Sequence, residues 1–132
     1  MNKLLALLLL VFSLTSYAGS MCTYYKSAGT AQEEHHVGFG SSWEAAEQVA
    51  FRKCTNAWNA NTCNGYRFSQ ACNLSGWGCA YLKSEGTAQE QNFPGFGDTR
   101  EEARLNALER CADDYSESSC TGSRFNLRCT QK

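Results

Sequence analysis

The sequence predicts an α+β protein of two tandem β-β-α-β repeats, each an antiparallel sheet with one helix, stapled by disulfides and arranged about a pseudo-twofold axis. Three observations lead there. Shifting the chain against itself by 57 residues aligns 22–75 with 79–132 without a gap, and 21 of those 54 positions are identical. The cysteines form two matched sets of four, with Cys22, Cys54, Cys63 and Cys72 falling on Cys79, Cys111, Cys120 and Cys129. Within each copy the hydrophobic spacing changes from the period of a strand to that of a helix and back.

Each unit opens with aromatic, pleat-compatible residues, Cys22-Thr23-Tyr24-Tyr25 and Cys79-Ala80-Tyr81-Leu82, which read as a strand. A nearly identical polar octet follows, KSAGTAQE from Lys26 and KSEGTAQE from Lys83. Its glycine, Gly29 or Gly86, suits a tight turn that demands positive φ, so the octet reads as a hairpin turn leading to a second strand. That strand ends at a matched Gly-Phe-Gly, Gly38 to Gly40 and Gly95 to Gly97. Directly afterwards Ser41 with Glu44, and Asp98 with Glu101, have the spacing of a helix N-cap and its reciprocal partner.

In the helix, Ala46, Ala50 and Cys54 match Ala103, Ala107 and Cys111, a small-residue stripe at intervals of four that lets a helix lie close on a sheet. The helices are expected to end near Trp58 and Tyr115. A polar loop with the third cysteine precedes a last strand, GYRFSQAC or GSRFNLRC, and Asn73 to Gly78, including Trp77, reads as a short linker.

The first residues carry one base, Lys3, then an apolar run from Leu4 to Leu14 and the small residues Ser16 and Ala18. This is the pattern of a secretory signal peptide cleaved after Ala18, and its apolar run is well under the ~20 residues that span a bilayer. The organisation is therefore 1–18 signal peptide, 19–75 first cysteine-rich repeat and 76–132 second, with the mature protein secreted or periplasmic and not inserted in a membrane.

An even number of cysteines in a small exported chain implies disulfides. Structural zinc needs closer ligand pairs than the C-x8-C spacing within each copy, and C-x-x-C, the mark of a thioredoxin-like centre, does not occur. Cys63 and Cys72 flank a segment that is largely strand, which fully extended separates them by roughly 30 Å, beyond disulfide reach. The expected pairs are Cys54 with Cys63 and Cys22 with Cys72, repeated as Cys111 with Cys120 and Cys79 with Cys129. A single unit buries little apolar surface, so the staples and the pairing of the two copies must supply stability.

The opening aromatic strand, the Gly-Phe-Gly before the helix, the Glu and Ala residues leading to A-x-x-x-C, and the final strand ending in cysteine together resemble small exported bacterial domains of unknown function that carry an E-A-x-x-A-L-x-x-C helix. The resemblance covers both copies and implies no catalytic residues.

Chemistry-bearing motifs are few. His35 and His36 occur in the first copy only, opposite Asn92 and Phe93, and as strand neighbours they point to opposite faces, which makes them a poor metal pair. Lys26-Ser27 and Lys83-Ser84 cannot form a Ser/Lys dyad for the same reason. There is no G-x-S-x-G elbow, no phosphate loop and no dinucleotide fingerprint, so no cofactor is expected. With 12 basic and 13 acidic residues and no basic stripe, nucleic acid is not an expected partner.

The matched Lys26, Gln32 and Glu33 and their copies Lys83, Gln89 and Glu90 have no evident folding duty and are the candidate contact residues, and Trp43 is the further, exposed aromatic candidate. The functional expectation is a non-enzymatic exported binding module for a protein or glycan ligand, as a component of the cell envelope. Inhibition of a secreted lysozyme or protease by a stapled loop is the alternative. A hydrolase using paired carboxylates, Glu33 with Glu90 or Glu44 with Glu101, comes third.

Overall fold

The computed structural model describes residues 19–132, so the signal peptide expected at 1–18 lies outside the described residues. Strands β1 (Ser20–Lys26), β2 (Glu34–Gly40) and β3 (Ser69–Cys72) form one antiparallel sheet in the order β2-β1-β3. Strands β4 (Trp77–Lys83), β5 (Gln91–Gly97) and β6 (Phe125–Gln131) form the other, in the order β5-β4-β6. Helix α1 (Trp43–Ala57) and short helix α2 (Ala60–Asn64) join β2 to β3; α3 (Arg100–Asp114) and α4 (Glu117–Cys120) join β5 to β6.

The polar octet folds as a closed turn. Ser27 adopts φ 56° and Gly29 φ 80°, and their counterparts Ser84 and Gly86 adopt 55° and 77°. Thr30 N–H and its hydroxyl both donate to Ser27 O, and Glu33 N–H donates to Thr30 O. The Glu33 carboxylate in turn accepts from Gly29 N–H at 3.3 Å; Glu90 does the same for Gly86 N–H at 2.8 Å. The octet is thus held by its own side chains in both copies.

The helices begin one residue later than the cap spacing suggests. Ser42 and Thr99, both extended, cap α1 and α3 by accepting from Ala45 N–H and Glu102 N–H. Ser41 and Asp98 stay outside, and Glu44 and Glu101 lie in the first helical turn, where the positive end of the helix dipole favours them. Glu101 is occupied by a bidentate bond from Arg104. The polar loop holding the third cysteine is a helical turn in each copy, capped by Asn59 or Ser116. Trp77 is the first residue of β4 and not part of a linker.

Helix and sheet approach closely because Gly38 and Gly95 have no side chain: a Cβ on Gly38 would lie 2.2 Å from Ala46 O, and one on Gly95 2.2 Å from Ala107 N. The stripes Ala46-Ala50-Cys54 and Ala103-Ala107-Cys111 are buried against these strands. Disulfides join Cys22 to Cys72 and Cys79 to Cys129, across paired strands, and Cys54 to Cys63 and Cys111 to Cys120, between long and short helix.

The faces turned away from the helices pack on each other. Met21 and Val37 from one sheet and Ala80 and Leu82 from the other form a third buried cluster, flanked by Phe39 and Phe96. The layers therefore run helix, sheet, sheet, helix. Gly19 N–H of the first unit donates to Gln131 O of the second at 2.9 Å, closing the junction.

Candidate functional site

At the junction, each hairpin turn leans on the long helix of the other unit. Lys53 of α1 meets Glu90 at 2.7 Å, and Arg110 of α3 meets Glu33 at 3.7 Å. Lys53 and Arg110 occupy equivalent positions in the two copies. Clefts open beside both contacts, and the chemistry of the two sides differs.

The cleft between the first hairpin and α3 encloses about 810 Å³ and is lined by Glu33, His35, Arg110, Asp113, Asp114 and Tyr115 among others. Its counterpart, about 450 Å³, presents Glu90, Asn92, Lys53, Asn56 and Ala57. Two carboxylates at the end of α3 thus stand where the other copy has an amide and a methyl. Between the clefts a smaller cavity of about 220 Å³ is lined by both Glu33 and Glu90.

The smaller-copy cleft is closed chemically. Asn92 Oδ1 accepts from Val37 N–H at 2.8 Å, while its Nδ2 donates to Glu90 at 2.9 Å. Burial pushes the Glu90 carboxyl up, but hydrogen bonds from Lys53, Gly86 N–H and Asn92 outweigh it and hold the group below the usual carboxylate range. His35 is the first copy's counterpart of Asn92, which lines both clefts, and Pro94, which has no N–H, stands where Val37 donates. The matching hydrogen bond cannot form.

His35 is 5% exposed at its side chain. Its Nδ1 lies 3.3 Å from Thr23 Oγ1, and its Nε2 has no hydrogen-bond partner among the described residues although Glu33 Oε1 is 3.4 Å away. Burial, with Arg110 nearby, depresses its pKa to about 4 against the opposing pull of Glu33, so the ring is neutral at pH 7 and its contact with Glu33 is not an ion pair. Burial, Glu33 and Asp113 raise the Asp114 carboxyl above its ordinary value. His36 points to the helix side, bonding Glu34 at 2.7 Å, so the two histidines face apart. Among the described residues no cluster of His, Cys, Asp and Glu could hold a metal ion.

The candidate contact residues are dispersed. Glu33 and Glu90 both line the junction cavity, whereas Lys26 lies 4.2 Å over the Trp58 ring and Lys83 5.2 Å over Tyr115, each joining a hairpin to the end of its own helix. Gln32 and Gln89 are on the turns. Trp43 is 41% exposed and lies elsewhere, its ring N–H directed at Cys72 Sγ. Arg110, Asp113, Asp114 and Tyr115 escape a reading of the sequence alone. Their signal lies in the comparison of copies, where Asn56-Ala57 becomes Asp113-Asp114. Among the described residues no helix is long and apolar enough to cross a membrane. Compared with known proteins, the chain matches no family model, no curated protein and no solved structure.

Proposed function

We propose that this chain is a non-enzymatic exported binding module, built by tandem duplication with approximate twofold symmetry, whose ligand enters the larger junction cleft. The observation that supports it is the divergence of the two clefts on one scaffold. The second-copy cleft satisfies its own polar groups, whereas the first exposes Asp113 and Asp114 beside an unpartnered His35. Glu33 and Glu90 act as turn caps and bridges between units, which argues against their being an acid and base. Four disulfides fit an oxidising, extracytoplasmic location.

Binding of the mature protein to peptidoglycan, glycan arrays and a panel of envelope proteins tests this reading. Saturable retention is expected, weakened by substitutions in the cleft. Glycoside turnover that disappears in Glu33→Gln or Glu90→Gln would overturn it.

One observation favours inhibition of a secreted enzyme as a second reading. Tyr66, 96% exposed, projects from the loop after α2, next to the Cys54–Cys63 staple. A rigid loop presenting one aromatic residue suits insertion in an enzyme cleft. Inhibition of a lysozyme or protease that is lost in Tyr66→Ala is the expected result on that reading.

A further inference from the structure

We propose that the larger junction cleft binds an alkylammonium group, with Glu33, Asp113 and Asp114 as its acidic wall and His35 Nε2 as an acceptor at its base. The inference rests on the binding-module reading and names the chemical class of its ligand.

Charge is the first ground. Glu33, Asp113 and Asp114 line the cleft against one cation, Arg110, because His35 is neutral at pH 7. No basic residue occupies the last turn of α3, although cations are the favoured occupants of a helix C-terminus. Asp113 and Asp114 stand there against the helix dipole, and a bound cation reverses that penalty. In the other copy Asn56 and Ala57 impose no such penalty.

Hydrogen bonding is the second, independent ground. With the ring proton on Nδ1, the imidazole donates to Thr23 Oγ1 at 3.3 Å. That tautomer leaves a lone pair on Nε2, aimed at the Glu33 carboxylate 3.4 Å away. Two acceptors then face each other with no proton between them, and both lack what an ammonium carries, several N–H donors on one positive centre. A buried acceptor without a donor costs stability, so a ligand that supplies one regains it. Glu33 is the movable wall: its partners are a long 3.7 Å contact with Arg110 and a 3.3 Å bond from Gly29 N–H, and a modest swing admits the ammonium to Nε2. The equivalent Glu90 is clamped by Lys53 at 2.7 Å, which restricts the site to one cleft.

The alkylammonium has two sources, a free polyamine or the lysine side chain of a peptide. Titration calorimetry of the mature protein at low salt with spermidine, and separately with an acetylated tri-lysine peptide, distinguishes them, while nitrogen-15 NMR of the His35 ring follows the acceptor directly. Saturable binding at a single site by at least one probe is expected, with a movement of the Nε2 resonance. Saturation by spermidine alone assigns the free polyamine and saturation by the peptide alone assigns the lysine side chain. Asp113→Asn with Asp114→Asn, exposed at the end of α3, should weaken binding tenfold or more. His35→Asn, which installs the residue of the other copy, should also weaken it.

Heats that fail to saturate with either probe at millimolar concentration, or equal affinity in wild type and the double aspartate variant, would overturn the proposal. So would an Nε2 resonance already protonated in the free protein at pH 7. If a glycan or envelope protein is retained equally by wild type and double variant, the ammonium site is overturned while the binding module stands. Saturation by spermidine with no retention of any glycan or protein does the opposite: the ammonium site stands and the module for glycans or envelope proteins falls.

Discussion

Lys53 and Glu90 meet at 2.7 Å across the junction of the two units, and Glu90 also accepts from Gly86 N–H at 2.8 Å, so one carboxylate both closes its own turn and ties that turn to the other unit's helix. Arg110 and Glu33 repeat the arrangement more loosely, at 3.7 Å. Glu90→Gln should therefore destabilise the fold by about 1–2 kcal/mol, since a partly buried charge-assisted network is lost and Lys53 is left alone. Glu33→Gln should cost less. Urea unfolding of both variants tests the order, and a larger loss for Glu33→Gln would contradict the geometry.

Acid should weaken the protein in a window set by His35. Its folded pKa of about 4 lies below the ordinary 6.5, so the unfolded chain takes up a proton first as pH falls. The stabilising difference is complete above pH 6.5 and is lost progressively towards pH 4, by an amount on the order of 3 kcal/mol. Glu33, Arg110 and His36 are the charged or titratable groups around the ring. Glu34, held low first by its bond with His36, and Glu90 are also depressed, so their contributions disappear only once pH falls below the ordinary carboxylate value of 4.5. Chemical denaturation of wild type and His35→Asn at pH 7, 5.5 and 4.5 should show the upper part of the slope flattened in the variant.

Gly38→Ala should be among the most damaging single-methyl additions in the chain. Its Cβ would lie 2.2 Å from Ala46 O and 2.4 Å from Ala50 N, both backbone atoms, so α1 must move off the sheet. A loss of about 3 kcal/mol or failure to fold is expected, with overpacking as the cause. Gly29→Ala meets nothing within 4 Å and suffers only from its positive φ, about 1 kcal/mol. Thermal melts of the two variants should separate clearly.

Leu82→Ala probes whether the units unfold together. Leu82 is 1% exposed in the cluster between the sheets, where it packs with residues of both copies. The substitution should cost about 2–5 kcal/mol while leaving a single cooperative transition. Two transitions, with only one shifted, would show the sheets to be independent.

Removing the short staple by Cys54→Ala with Cys63→Ala opens a loop that in the chain-entropy model is worth about 2.7 kcal/mol. Losing the Cys22–Cys72 bridge should cost about 4 kcal/mol, because it closes the longer loop. Urea midpoints of the two double variants should fall in that order.

Local signals in the chain determined the strands, long helices and turns. Aromatic and apolar residues make Cys22 to Lys26 and Cys79 to Lys83 strands, and glycines mark both the positive-φ turn and the close helix contact. Matched cysteine spacing, with the reach of an extended strand, is enough to point to Cys22–Cys72 and Cys54–Cys63. The cap of α1 was legible only to within one residue, because Ser41 and Ser42 are chemically alike and the bend leaving Gly40 decides which one faces the helix. The octet's Glu33 and Glu90 looked idle in sequence because their partners are far along the chain or are backbone N–H groups that no side-chain pattern records. Only packing the two sheets face to face set Lys53 beside Glu90 and Arg110 beside Glu33. The same packing turned a difference between copies, Asp113-Asp114 for Asn56-Ala57, into a cleft with its own charge, since a side chain's electrostatic role depends on which surface is folded against it.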